Sequence, residues 1–325
     1  MRGVADERAM RRALELAAGV RTSTSPNPWV GSVIEPGGFE GATSPPGGPH
    51  AEAHALQAAG EAARGATIYA TLEPCSHTGR TPPCVDRIID AGIARVVVGV
   101  EDPDERVRGR GIRALRAAGI RVDVGVCAEE VRAQLAPYLK HRGTGRPWVV
   151  LKLAATLDGR TAAPDGSSRW ITGDAARADA HRLRAESDAV IVGAGTVRAD
   201  DPELTVRGVE GTDPLRVVLG HAPADARVQP ALELEGDLGG VLDELGRRGV
   251  LQAMVEGGAT VAGDFHRAGL VDRYVLYLAP AFFGGDDARP LFTGSGAPTI
   301  ADLWRGRIES VERLGDDLRL ECSPA

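Results

Sequence analysis

Cysteine is scarce in this chain. Only four occur in 325 residues, at Cys75, Cys84, Cys127 and Cys322, and their spacing does not form a disulfide framework. No run of 18 apolar residues exists, which excludes a membrane-spanning helix of ordinary length. The opening residues, M-R-G-V-A-D-E-R-A-M, mix both charges and lack the apolar centre of a secretory signal. A reducing cytoplasm is therefore the expected compartment. Positive charge is not in excess: 38 basic residues against 45 acidic ones give a net charge of −7, which argues against a protein that holds nucleic acid mainly through phosphates. No G-x-G-x-x-G with a distal acidic residue is found, so a Rossmann dinucleotide site is not expected.

What is present suffices for two cores. Hydrophobic residues make up 43% of a length beyond one average domain. The chemistry concentrates between His50 and Cys84. His50, Ala51 and Glu52 read H-A-E, and Thr71 to Cys84 read T-L-E-P-C-S-H-T-G-R-T-P-P-C. One imidazole and two thiolates are good zinc ligands, and three protein ligands leave a fourth tetrahedral position for water. A carboxylate two residues past the histidine can carry a proton from that water to a leaving amine. His, Glu, Cys and Cys in this order resemble the signature of zinc-dependent nucleobase deaminases, except that the cysteines stand nine residues apart instead of three. His54 competes with His50 because residues four apart share a helix face. His50 is preferred, since it follows Gly47-Gly48-Pro49 and so begins a helix where a metal can approach.

Around this stretch the pattern alternates. A helix is expected over 6–18, a loop over 22–28, a strand over 29–34 and a loop to Pro49. Helices are expected over 50–63, 85–91, 110–118 and 129–140, with strands over 66–72, 95–100 and 121–126. Such alternation predicts a largely parallel sheet covered on both faces, with the ligand site beyond the carboxyl ends of its strands. Cys75 falls at such an end, and Cys84 opens the next helix.

Lys140 to Pro147 is short, charged and Gly-rich, and marks the expected boundary between domains at 1–143 and 147–325. Beyond it strands are expected over 148–155, 189–192, 216–219, 250–255 and 271–278, with late strands within 309–320. Helices are expected over 174–185, with Asp174 as N-cap, over 238–247, and to about Ala268. Two glycine clusters, at 193–195 and 257–258, follow strands, where backbone N–H groups can meet a phosphate.

The His50–Cys84 stretch resembles the deaminase half of the bifunctional riboflavin-biosynthesis deaminase/reductase family, whose long spacer between the cysteines it shares. L-K-L-A-A-T-L-D-G-R-T from Leu151, S-R-W-I-T from Ser168, A-D-D-P-E-L-T-V-R from Ala199 and V-E-G-G-A-T from Val255 resemble its reductase half. The resemblance spans nearly the whole chain. It implies an α/β protein: an N-terminal cytidine-deaminase-like three-layer domain and a C-terminal dihydrofolate-reductase-like domain. The implied activity is zinc-dependent hydrolytic deamination of 2,5-diamino-6-ribosylamino-4(3H)-pyrimidinone 5′-phosphate. NADPH reduction of the ribosyl group of the resulting aminouracil to ribityl then follows.

Carried over residue by residue, the metal set is His50, Cys75 and Cys84 for one Zn²⁺ per chain, with Glu52 catalytic. Substrate contacts in the first half fall on Asn27, His77, Arg80 and Asp102. In the second half, cofactor contacts fall on Ala154, Trp170, Thr196, Asp200, Gly258, Ala259, Thr260, Val261, Ala262, Gly263 and Asp264. Substrate contacts there fall on Ser168, Arg184, Leu204, Arg207 and Glu256, and Lys152 and Asp200 are the candidates for proton transfer. The implied partner is the phosphorylated pyrimidine alone, without nucleic acid or membrane, in a cytoplasmic homo-oligomer (dimer or tetramer).

The chain departs from the family in places. Thr43 stands where relatives carry His, Ser32 where many carry Cys, and Asp102 to Glu105 read D-P-D-E instead of D-P-N-P. Gly220-His221 replaces Asp-Ser, and the chain is short between Arg227 and Leu238, with a strand missing or reduced to 231–234. A deaminase with a degenerate reductase domain is thus the alternative. A nucleic-acid deaminase would need a basic groove, and a purely structural zinc module would not need Glu52.

Overall fold

Thr67–Leu72 and Arg95–Val100 are β-branched and aliphatic runs buried on both faces, the pattern of central strands with helices above and below. The structure, a computed structural model, describes residues 2–77 and 82–325. The chain separates into two compact units, 1–145 and 146–325.

The first unit contains α1 (Arg2–Gly19), α2 (Arg21–Thr24), β1 (Gly31–Glu35), β2 (Phe39–Ala42), α3 (Ala51–Ala59), β3 (Thr67–Leu72), α4 (Cys84–Asp90), β4 (Arg95–Val100), α5 (Arg110–Ala117), β5 (Arg121–Val124), α6 (Ala128–Gln134) and α7 (Ala136–Thr144). Its sheet runs β2-β1-β3-β4-β5. Only β3, β4 and β5 are parallel; β1 is antiparallel to both β2 and β3. The expected largely parallel sheet is therefore mixed. The cause is a hairpin at Gly37-Gly38, both at positive φ, which turns the chain back into β2 inside the stretch expected as loop. One face packs Ile34, Ile68, Val96 and Val98 against Ala55, Val85, Ile88 and Leu115. On β1 a Cβ at Gly31 would lie 1.8 Å from the carbonyl oxygen of Ala13, so α1 seats against the sheet only because that side chain is absent. The helix expected over 129–140 is two helices, which meet at Leu135 ahead of Pro137. The second continues to Thr144, through much of the expected linker.

The second unit contains β6 (Trp148–Thr156), β7 (Arg160–Ala162), α8 (Asp174–Ala185), β8 (Ala189–Gly193), α9 (Ala194–Asp200), β9 (Leu215–Leu219), β10 (Leu232–Leu234), α10 (Leu238–Arg247), β11 (Gln252–Val255), α11 (Ala259–Arg267), β12 (Arg273–Ala279), β13 (Arg289–Pro290), β14 (Gly306–Leu314) and β15 (Asp317–Pro324). Eight strands form one sheet in the order β10-β9-β8-β11-β6-β12-β15-β14, in which β15 alone runs against the others, antiparallel to both of its neighbours β12 and β14. Side chains alternate along β6. Val149, Leu151 and Leu153 face Leu242, Leu245 and Phe265, whereas Val150 packs on the other face with Leu183 and Tyr277. Both units are thus helix–sheet–helix layers. Gly173, not Asp174, is the N-cap of α8. The shortened 227–238 region still supplies β10, three residues paired in parallel with β9 at the sheet edge.

Candidate active sites

Register alone gathers the first site. β1 and β3 are antiparallel, with Ser32 opposite Ala70, so the loop before β1 and the loop after β3 lie at one end of the sheet. The loop leaving β4 joins them because β4 is parallel to β3. Ala42 pairs with Gly31, which brings the segment leading to α3 to that end too. Asn27, His50, Cys75, His77 and Asp102 all sit on these connections.

His50 is the extended N-cap of α3, Cys75 follows β3, and Cys84 is the first residue of α4. The Nδ1 of His50 lies 3.6 Å from the Sγ of Cys75 and 3.4 Å from the Sγ of Cys84. All three ligand atoms fall within 4.8 Å of one another, the one such His/Cys/acid cluster among the described residues. Zinc bonds of about 2.05 Å to nitrogen and 2.3 Å to sulfur, at a tetrahedral angle, place N and S about 3.5 Å apart. The donor set and its spacing therefore fit zinc. His54, one turn further along α3, is engaged elsewhere: its Nε2 is 2.8 Å from the Oγ of Ser44.

The three side chains also shift one another's proton affinity. A hydrogen bond from Cys84 lowers the thiol pKa of Cys75 against the opposing effect of burial, with His50 helping. The same bond, then burial, raises that of Cys84. His50 is pushed up by its hydrogen bond with Cys75. Glu52 is 4% exposed, in the first turn of α3, and burial followed by the charge of Cys75 raises its proton affinity.

Asp102 is 4% exposed and accepts from the hydroxyl of Tyr138 at 3.0 Å and from the N–H of Asp104 at 2.9 Å. The buried Nδ1 of His77 has no hydrogen-bond partner among the described residues. Asn27 is half-buried, and its N–H donates to the carbonyl of Thr24. Arg80 lies outside the described residues. Thr43, the departure from the family's His, is buried and hydrogen-bonds to both main-chain groups of Val30.

In the second unit a cavity of about 1010 Å³ opens over the carboxyl ends of β6, β8 and β11. Lys152, Ala154, Ser168, Trp170, Arg184, Thr196, Asp200, Leu204, Arg207, Glu256, Gly258, Ala259, Thr260 and Val261 all line it. Ala262 and Gly263 do not: they are buried within α11. Asp264 pairs with Arg267 away from the cavity. Of the expected cofactor segment only the start, Gly258 to Val261, faces the cavity, because a helix turns successive residues away from any one direction.

β6 and β11 are parallel neighbours, with Leu151 opposite Val255, so Lys152 and Glu256 become adjacent. The Nζ of Lys152 is 3.3 Å from one oxygen of Glu256, and Arg184 binds the other at 2.8 Å. Burial acts to raise Glu256, but the two cations outweigh it and hold its carboxyl down to about 2. Lys152 is thus paired with Glu256, whereas Asp200 sits at the exposed end of α9, where its carbonyl accepts from Arg169. The two glycine clusters meet: the N–H of Gly258 donates to the Oγ1 of Thr196 at 3.1 Å. A Cβ at Gly257 would come within 2.7 Å of Val261, so backbone approaches the cavity there unscreened. His221 is exposed, paired with Glu233 and Glu235, and does not line the cavity.

Two features escaped sequence reading. Arg169, Arg177, Arg227 and Arg289 also line the cavity, from segments that no common motif joins. Glu73, a letter inside T-L-E-P-C, proves to be 3% exposed and ringed by main-chain donors.

Comparison with known proteins gives a family match for each unit. Residues 4–100 match the family described as the cytidine and deoxycytidylate deaminase zinc-binding region, and residues 147–320 match the RibD C-terminal domain. The chain is 41% identical to the riboflavin biosynthesis protein RibD of Escherichia coli K12, over 97% of this chain and 98% of that protein. It is 43% identical to the RibD of Mycobacterium tuberculosis H37Rv, over 97% and 96%. Among solved structures, a form of Acinetobacter baumannii RibD superposes with a TM-score of 0.93 at 39% identity, covering 98% of this chain and 99% of that one. The diaminohydroxyphosphoribosylaminopyrimidine deaminase/5-amino-6-(5-phosphoribosylamino)uracil reductase of Thermotoga maritima superposes at 0.89 with 33% identity, covering all of both chains.

Proposed function

The chain belongs to the RibD family of riboflavin-biosynthesis proteins, and we propose the residues through which it performs that family's two reactions. It is a bifunctional enzyme, a zinc-dependent deaminase and an NADPH-dependent reductase, with both domains present. We assign deamination to residues 1–143 and reduction to residues 147–325.

The observation that carries the reading is the triad with a buried carboxylate beside it. His50, Cys75 and Cys84 hold zinc, which supplies a Lewis acid able to make water nucleophilic near neutral pH. Glu52 takes the proton released as water adds to the amine-bearing ring carbon and passes it to the departing ammonia, leaving a carbonyl in its place. Its dry surroundings suit both roles, since burial raises its proton affinity. Asp102 and Asn27 read the polar edge of the pyrimidine, while His77 and Arg80 hold the phosphate.

In the second unit NADPH supplies the hydride. The first turn of α11 at Gly258, with Thr196, receives the cofactor's diphosphate, and Ala154, Trp170 and Asp200 complete its contacts. Arg207, Ser168 and Leu204 hold the substrate, and Arg184 presents Glu256 to it. Lys152, fixed by Glu256, donates the proton that accompanies hydride addition at the ribosyl C1′ as the sugar opens.

No helix of the described residues is long and apolar enough to cross a membrane. We place the enzyme in the cytoplasm, where Cys75 and Cys84 stay reduced, acting on a small phosphorylated pyrimidine without nucleic acid, as a homo-oligomer (dimer or tetramer). A two-step assay with metal analysis tests the reading. Ammonia release without NADPH, NADPH oxidation only after deamination, and about one zinc per chain are expected. Protein that deaminates but never oxidises NADPH contradicts the assignment of the second unit.

A further inference from the structure

Glu73 closes β3, where its N–H still donates to the carbonyl of Val100 at 3.0 Å, and it precedes Pro74-Cys75 directly. Its two side-chain oxygens accept four main-chain N–H groups. One oxygen takes those of Asp102 at 3.2 Å and Gly109 at 2.9 Å; the other takes those of Gly111 at 2.9 Å and Ile112 at 3.2 Å. Gly111 and Ile112 form the first turn of α5, whose N-cap Gly109 has no side chain to cap it. Glu73 thus performs the capping from a neighbouring strand, and its charge faces the positive end of the helix. The contact is tight on the main chain as well: a Cβ at Gly111 would lie 2.1 Å from the carbonyl oxygen of Pro74. The loop that carries Cys75, the start of α5 and the N–H of Asp102 therefore meet on one buried side chain.

We propose that Glu73 is a positioning residue for deamination, which fixes the main chain of Asp102 against the cysteine loop and so sets where the Asp102 carboxylate meets the pyrimidine. The proposal rests on the reading of Asp102 as a substrate contact. Tyr138 and the N–H of Asp104 orient that carboxylate about its own bonds, but neither ties it to the metal loop. Glu73 does, through the one oxygen it shares between Asp102 and Gly109. A small displacement of a contact residue is enough to cost a large factor in catalysis.

The test is a double-mutant cycle in the full chain with Glu73→Gln and Asp102→Asn, reading deaminase KM and kcat together with zinc content. Glu73→Gln keeps the shape but sets an NH₂ against N–H donors. The expected result is a KM higher by on the order of tenfold, a smaller change in kcat, and about one zinc retained per chain. The double variant is then no worse than Asp102→Asn alone, because both lesions act through one contact. Effects that multiply, a wild-type KM, or loss of zinc in Glu73→Gln each overturn the proposal. Should Glu73→Gln not accumulate as folded protein, Glu73→Asp, which keeps the charge and shortens the reach, is put through the same cycle. Asp102→Asn with a wild-type KM removes the reading of Asp102 itself; a defect in Asp102→Asn without one at Glu73 overturns the positioning role alone.

Discussion

The main-chain N–H of Cys84 donates to the sulfur of Cys75 at 3.3 Å, and the N–H of Val85 donates to the carbonyl of Cys75 at 3.2 Å. Residues nine apart in sequence therefore meet at the start of α4, where a short C-x-x-C turn would bring its own two together. The helix end supplies an N–H and a favourable dipole for a thiolate, so a long spacer costs the ligand geometry nothing.

Removing either sulfur leaves only two protein ligands. Cys84→Ala and Cys75→Ala are each expected to reduce zinc from about one per chain to near none and to abolish ammonia release. Metal analysis of purified protein checks this. NADPH oxidation with pre-deaminated substrate should persist in both variants, since Lys152, Arg184 and Glu256 belong to the other unit.

Lys152→Met should lower the rate of reduction by about 10²–10⁴-fold while leaving deamination unchanged. Arg184 still binds Glu256 in that variant, so the carboxylate is not stranded. The pH dependence has a definite sign. Glu256 is held down to about 2, so it stays charged at every working pH and its contribution disappears only as pH falls through that value. A pH–rate profile of reduction is therefore expected to show no acid limb from Glu256 above about pH 3.

Burial, helped by the nearby charges of Asp104 and Glu73, pushes the carboxyl of Asp102 up to about 6, although the hydrogen bonds from the Asp104 N–H and from Tyr138 pull the other way. As a substrate contact in its charged form, it should raise deaminase KM as pH falls through about 6, and Asp102→Asn should flatten that limb. Stability runs in the opposite sense. The folded value lies above the ordinary 3.8, so the folded protein favours the neutral form, and the stabilisation is lost as pH rises through about 6. Asp102→Asn is then expected to raise the unfolding temperature of the first unit at pH 8 but not at pH 4, as calorimetry can measure.

The zinc site was legible in sequence because each ligand announced its own backbone. His50 follows Gly-Gly-Pro, and prolines precede both cysteines, so helix starts and a strand end could be placed before any contact was known. Glu73 shows the opposite case. Its four partners lie 29 to 39 residues away, on a loop and a helix end that only the sheet order brings near. β2 was hidden by the glycines that make its hairpin, read as loop because they carry no side chain to reveal a pleat. In the reductase unit the motif residues other than Ala262, Gly263 and Asp264 line one cavity. The pairing of Lys152 with Glu256 depends on which strands are neighbours. The brief β10 likewise formed because edge pairing with β9 needs only three residues.

Glu52→Gln tests the account most directly. The amide fills the same buried space but cannot accept a proton, so the variant is expected to keep about one zinc per chain and to lose ammonia release by at least about 10²-fold. Zinc-loaded Glu52→Gln that deaminates at the wild-type rate would contradict it.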